Sequence, residues 1–364
     1  MSLTADEAAA DVAEVLFLEP RDVDHRLDLR EQGLDSVRTM ELVDRWRRAG
    51  VPGVSFVLLA EDRRLERWLE LLGELQAETR DDPEPATRVR TCIATVSLGG
   101  TLPEKLDAAA AAGFDGVELL DADLRDGPWA AARVAARCAE LGLDIDLYQP
   151  FRRAEGVDDA EFDAVLARFR GELDVMADVG ASSILVVSNT DADADPDRDR
   201  TVRQLTTLAD AAADRGMTVT YEALAWGTHV GRFTDAWDVV RRADHPALSV
   251  AVDTFHLICR GEDAAALAGV PAGKISLVQV SDAPWRSGGL AEWSRNHRCL
   301  PGDGEFDLVG PLAALLAGGY RGALSLELFD PALRRRDPHE VAARGAAALD
   351  ELVARTGAGA VPAG

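Results

Sequence analysis

Two rhythms of apolar and polar positions divide the chain. Through residue 75 the apolar residues recur at helical spacing, as in TADEAAADVAEVLFL, where Thr4 is placed to cap a first helix. A second helix is predicted to start at Ser36 and a third to run across EDRRLERWLELLGEL, so residues 1–75 are expected to form a small all-α, four-helix domain. Gln76 to Arg90, QAETRDDPEPATRVR, is polar, holds two prolines and has no apolar period, which predicts a linker. From residue 91 the rhythm changes. Short runs rich in β-formers alternate with Ala-rich amphipathic stretches: CIATVSL, GVELLD, IDLYQP, SILVVSN, TVTYEALA, LSVAVDTFH, ISLVQVSD and ALSLELF. Several are almost continuously apolar, as parallel strands buried on both faces must be. Eight such strands with helices between them predict an α/β fold, a (β/α)8 TIM barrel over residues 91–356. A doubly wound open sheet is the alternative, but SLGGT after the first strand is too short for a Gly-rich phosphate turn. The tail 357–364, GAGAVPAG, is expected to be disordered.

Composition narrows the partners. A formal net charge of -25 argues against nucleic acid and anionic membrane surfaces, which favour basic patches. It leaves room for a small anionic substrate, because a few arginines suffice for a local pocket. The four cysteines, Cys92, Cys138, Cys259 and Cys299, have no paired spacing, so neither a zinc site nor a disulfide framework is suggested. With no signal peptide and no long apolar run, the expected location is cytoplasmic.

Barrel enzymes keep their chemistry at the C-terminal ends of the strands. The last residues of runs five to eight supply Glu222, Asp253, Gln279 and Glu327. Carboxylates embedded in apolar runs are costly when unpaired, and a cation is their natural partner. Oxygen donors select a hard divalent ion, Mg2+ or Mn2+, with Co2+ tolerated. His256 in DTFH and His229 in AWGTHV lie in rim loops as candidate acid/base residues. Arg152 in LYQPFRRAEG and Arg298 in NHRCLPGDGEFD are candidate contacts for a substrate carboxylate, with Arg153 the neighbour that could face inward instead. Glu118 and Asp282 also end strands and could steady a metal ligand or an arginine.

Taken together, IATVSLGGTLPEKLDAAAAAGFDGVELLDADL, LYQPFR, YEALAWGTHV, VDTFH, VQVSDAP, RCLPGDGEFD and LSLELF resemble the bacterial 3-dehydroshikimate dehydratases of the xylose-isomerase-like barrel superfamily. The resemblance implies a metal-dependent lyase that removes water from 3-dehydroshikimate to give protocatechuate. It implies Glu222, Asp253, Gln279 and Glu327 as metal ligands, His256 as acid/base residue, and Arg152 and Arg298 as substrate contacts. Some relatives carry a further dioxygenase-like domain; the chain is expected to stop short of it, after a last helix near HEVAARGAAALDELVART. The same metal quartet also suits a sugar or inositol isomerase or epimerase, although a neutral sugar needs no arginine clamp.

The N-terminal stretch LREQGLDSVRTMELVDRWRRAG adds a second resemblance, to aryl carrier proteins of siderophore assembly lines. Asp35 would cap a helix whose positive end holds Ser36, where a phosphodiester is favoured. Val37, Met40, Val43 and Trp46 supply an apolar stripe, with Leu34 as anchor. The resemblance implies 4'-phosphopantetheine on Ser36. It also implies three partners: a phosphopantetheinyl transferase, an aryl-acid adenylating enzyme and a downstream condensing enzyme. An ordinary capped helix in an oligomerisation domain is the plainer alternative. A carrier or scaffold with an inactive barrel is the third view of the whole chain, and the intact metal and His set speaks against it.

Overall fold

The computed structural model describes residues 3–18, 20–34, 38–39, 42–43, 45–46, 49, 51, 54, 58–59, 62–81 and 89–357. Two units separate between Thr87 and Arg88. In the first, the helix Ala5–Leu16 opens on a reciprocal cap: the Glu7 N–H donates to Thr4 Oγ1 at 3.2 Å and the Thr4 N–H to Glu7 Oε2 at 2.8 Å. A core of its own holds Val12, Leu34, Val43, Trp46, Leu59, Leu65 and Trp68. Trp46 and Trp68 meet edge to face at 5.9 Å, and the Trp68 indole N–H donates to the Leu59 carbonyl at 2.9 Å. The helix Leu65–Asp81 continues past Gln76, so the first part of the expected linker is helical. Gln, Ala, Glu and Arg extend a helix cheaply, and Pro83 is the first residue that forbids it. Residues 82–88, Ser36, Val37 and Met40 lie outside the described residues, as does the tail from residue 358.

The second unit carries all eight expected strands: β1 Thr91–Ala94, β2 Gly116–Leu120, β3 Asp144–Phe151, β4 Ser183–Val187, β5 Thr218–Glu222, β6 Leu248–Asp253, β7 Ile275–Val280 and β8 Leu324–Leu326. They pair in sequence order and close through β1 and β8. Every pairing is parallel. Side chains alternate across a strand, so one parity packs outward against the helices and the other fills the barrel. The outward set includes Ile93, Val117, Ile184, Val186, Val219, Val250, Val252, Val278 and Val280, all in the large core. Cys92, Leu147, Leu185, Val187, Ala251, Leu277 and Ala323 form a separate inner cluster. Stepping up the inner parity from that cluster leads to Glu118, Gln149, Glu222, Asp253, Gln279 and Glu327, all buried. An apolar floor and a polar rim thus follow from one period-two pattern. Among the described residues, no helix is long and apolar enough to cross a membrane.

Candidate active site

Asp253, the last residue of β6, is also the N-cap of the short helix Thr254–Cys259. Its Oδ1 accepts the Phe255 and His256 N–H groups at 2.7 and 3.2 Å. That helix turn places His256 three residues on, with Nε2 3.6 Å from both Glu222 Oε1 and Asp253 Oδ2. Potential ligand atoms of Glu222, Asp253 and His256 all lie within 4.8 Å of one another.

Arg298, 2 % exposed, holds the other side of the cluster. Its Nη1 donates to Asp253 Oδ2 at 2.7 Å and to Glu327 Oε2 at 3.0 Å. Nε and Nη2 donate to Ser294 Oγ, and Nη2 lies 3.2 Å from His256 Nε2. The guanidinium carbon lies over the rings of Phe255 and Phe329, 4.7 and 5.1 Å from their centroids. Arg298, expected as a substrate contact, has internal partners for each of its nitrogens. Its loop is fixed by Asp282, whose carboxylate accepts the N–H groups of Ala283, Gly302, Gly304 and Phe306. Asp282 therefore shapes the turn beside the site and supplies no direct ligand to it.

Glu118, fully buried on β2, knits the remaining strands. Its Oε2 accepts from Gln149 Nε2 at 2.9 Å and Gln279 Nε2 at 2.8 Å, and its Oε1 bonds the Ser325 hydroxyl. Gln149 Nε2 also donates to Glu327 Oε1 at 3.1 Å. Glu118 thereby fixes the Gln279 amide, because only the nitrogen can donate to a carboxylate. The amide oxygen is buried without a hydrogen-bond partner.

Charge is out of balance here. Four carboxyls, Glu118, Glu222, Asp253 and Glu327, are buried here, and the Arg298 guanidinium pairs with two of them, Asp253 and Glu327. Burial pushes Glu222 and Glu118 well above the usual carboxylate range, and their acidic neighbours add to it. Burial pushes Glu327 up to about 7, against the pull of Arg298. Burial acts the same way on Asp253, but Arg298 and His256 outweigh it and hold Asp253 below its ordinary value. Burial lowers His256 to about 4, so the imidazole is neutral near pH 7. An orphaned carbonyl oxygen beside surplus buried carboxylate is the donor set that a hard divalent cation fits.

Two expected residues are not joined to this cluster by a hydrogen bond or ion pair among the described residues. His229 Nε2 is 2.7 Å from Glu155 Oε2 and 3.2 Å from Thr201 Oγ1, in a separate buried cluster. Arg152 is exposed, and among the described residues no ion pair holds its side chain, whereas Arg153 pairs with Asp191 and Glu161. Gln149, Glu155, Ser294 and Ser325 were not singled out from the sequence. Gln149 lies at an inner-facing position near the end of β3, as Gln279 does on β7, and that signal could have found it.

A family model described as the Xylose isomerase-like TIM barrel matches residues 106–352. The chain belongs to this family. Within it, the 3-dehydroshikimate dehydratase of Pseudomonas putida is 46% identical over 264 residues, covering 72% of this chain and 42% of that protein. The chain thus spans under half the length of that curated relative. A solved xylose isomerase-like TIM barrel/4-hydroxyphenylpyruvate dioxygenase fusion protein superposes with a TM-score of 0.72 at 45% identity, over 74% of this chain and 43% of the other. The acyl carrier protein ScoB of Streptomyces coeruleorubidus is 42% identical over 74 residues, covering 20% of this chain and 86% of that protein.

Proposed function

We propose that this xylose isomerase-like barrel dehydrates 3-dehydroshikimate to protocatechuate and that the N-terminal unit is an aryl carrier bearing 4'-phosphopantetheine on Ser36. The observation that carries the first part is the likeness to the Pseudomonas putida dehydratase at 46% identity over 264 residues. Glu222, Asp253, Glu327 and the Gln279 amide oxygen would hold Mg2+ or Mn2+. A divalent ion there would supply Lewis-acid stabilisation of charge building on the substrate's ketone oxygen. His256 turns its Nε2 toward the cluster and is the residue assigned to carry the proton between the carbon beside the ketone and the departing hydroxyl. Arg298 holds Asp253, Glu327 and His256 in register, and Arg152, exposed just past the end of β3, is the expected contact for the substrate carboxylate. Aromatisation makes the loss of water effectively irreversible.

The likeness to ScoB supports the second part, as does the chemistry: the acid the barrel would make is one an aryl carrier accepts. A phosphopantetheinyl transferase, an adenylating enzyme and a condensing enzyme of siderophore-type assembly are the partners. All four cysteines are unpaired, which suits a reducing cytoplasmic setting.

The test is spectroscopic. Purified protein with Mg2+ or Mn2+ and 3-dehydroshikimate should develop the ultraviolet absorption of an aromatic acid. Glu327→Ala should abolish it, and Ser36→Ala should leave it intact while preventing the mass increment that a phosphopantetheinyl transferase adds. No absorption change with any divalent ion would sink the dehydratase assignment.

A further inference from the structure

His229 and Glu155 form a pair, with the Glu155 side chain wholly buried, that the proposed chemistry does not use. Glu155 lies in the loop after β3 and is 0 % exposed. Its Oε1 accepts the Asn189 N–H at 2.8 Å and the Tyr221 hydroxyl at 3.0 Å. Its own carbonyl accepts Asn189 Nδ2 at 2.8 Å, and its Oε2, which makes no hydrogen bond among the described residues, is 2.7 Å from His229 Nε2, whose hydrogen-bond partner is Thr201 Oγ1. One side chain thus ties together the chain leaving β3, β4 and β5. Gly156, at φ 67°, lets His229 pack directly on that loop, since an added Cβ would meet His229 Cε1 at 2.7 Å.

The segment 224–230 after β5 hangs on these anchors. The Leu224 N–H donates to Ser188 Oγ at 3.0 Å, and the Thr228 N–H and hydroxyl donate to the Asn189 and Asp191 carbonyls at 2.9 and 2.8 Å. Between them lie the two groups that touch His256. The Ala225 N–H donates to His256 Nδ1 at 3.2 Å, and the Trp226 ring stands edge-on to the imidazole at 5.1 Å. With Nδ1 engaged, Nε2 is the nitrogen turned toward Glu222 and Asp253.

We propose that Glu155 is a positioning residue: through Asn189 and His229 it fixes the loop after β5, and that loop aims the His256 ring. The effect on turnover rests on the dehydratase assignment; the effect on the loop does not. Misplacing a reacting group by an ångström costs about a hundredfold. Loss of Glu155 should therefore lower kcat and leave substrate binding nearly intact.

The full chain is measured two ways, by amide hydrogen exchange and by steady-state kinetics on 3-dehydroshikimate. Glu155→Ala should raise exchange in 224–230 with β1, β7 and β8 unchanged, and lower kcat about a hundredfold with KM nearly constant. Glu155→Gln keeps an oxygen acceptor for Asn189 and Tyr221 and should recover most of kcat. If Glu155→Ala does not fold, His229→Gln removes a single anchor; a smaller fall in kcat with loosening confined to 224–230 is then expected. An unchanged kcat in these variants overturns the proposal. So does loosening spread over the whole barrel with KM and kcat both altered. A wild-type protein inert toward 3-dehydroshikimate refutes the dehydratase assignment alone, and exchange in 224–230 still decides the anchor.

Discussion

Asp253 divides its oxygens between a helix cap and an ion pair, so a backbone task and a chemical task meet in one carboxylate. Glu118 has a comparable double hold on the amides of Gln149 and Gln279. Glu118→Ala should let the Gln279 amide turn and weaken Mn2+ binding about 10- to 100-fold, read by calorimetry or by the spin signal of free Mn2+. The strand-end acids were legible in the sequence because a carboxylate inside an apolar run is conspicuous. Arg298's choice of partners was not, because a long flexible side chain on a loop says nothing about where its fork will settle. Thiols follow burial too, which pushes Cys138 up to about 11 and Cys259 and Cys299 up to about 12. A thiol whose pKa rises on folding is less often the reactive thiolate, and at pH 8 these are almost wholly protonated. Disulfide-exchange reagents should therefore label the native protein slowly and the urea-unfolded chain rapidly, with the native rate rising as pH rises.

Loops show the limits of pattern at the level of elements. Strands and their order follow from alternation and apolar content; six lie within the expected runs, β1 starts one residue early and β3 extends one residue beyond its run at each end. The helix Leu65–Asp81 overran its expected end because composition marks a linker only weakly until a proline intervenes. The anchor at Glu155 was hidden for another reason: it depends on three loops distant in sequence that meet only once the barrel closes. The turn after Arg298 is similarly tertiary. A Cβ at Gly304 would collide with Asp282 Oδ1 and lie 2.6 Å from the Ala283 nitrogen. Gly304→Ala should cost about 1–3 kcal/mol in the urea unfolding of the barrel. It should also reduce turnover, since the displaced turn carries Arg298 with it.

Two separate cores, one around Trp46 and Trp68 and one around the barrel, describe the molecule as a whole. Each buries its own apolar residues, so removal of residues 1–87 should leave a barrel with an unchanged urea unfolding midpoint and an unchanged rate on 3-dehydroshikimate. A large loss of either on truncation would show that the units depend on one another. Closure of the barrel carries a further consequence for how such a protein can change. Because packing and chemistry occupy opposite parities of the same strands, their coordinates are locked to each other. Deleting a single residue early in β7 would turn Val278 and Val280 toward the centre and swing the Gln279 amide out among the helices. Lineages can therefore explore new reactions here by exchanging letters at fixed inner positions or by lengthening rim loops, while the strand lengths themselves stay frozen.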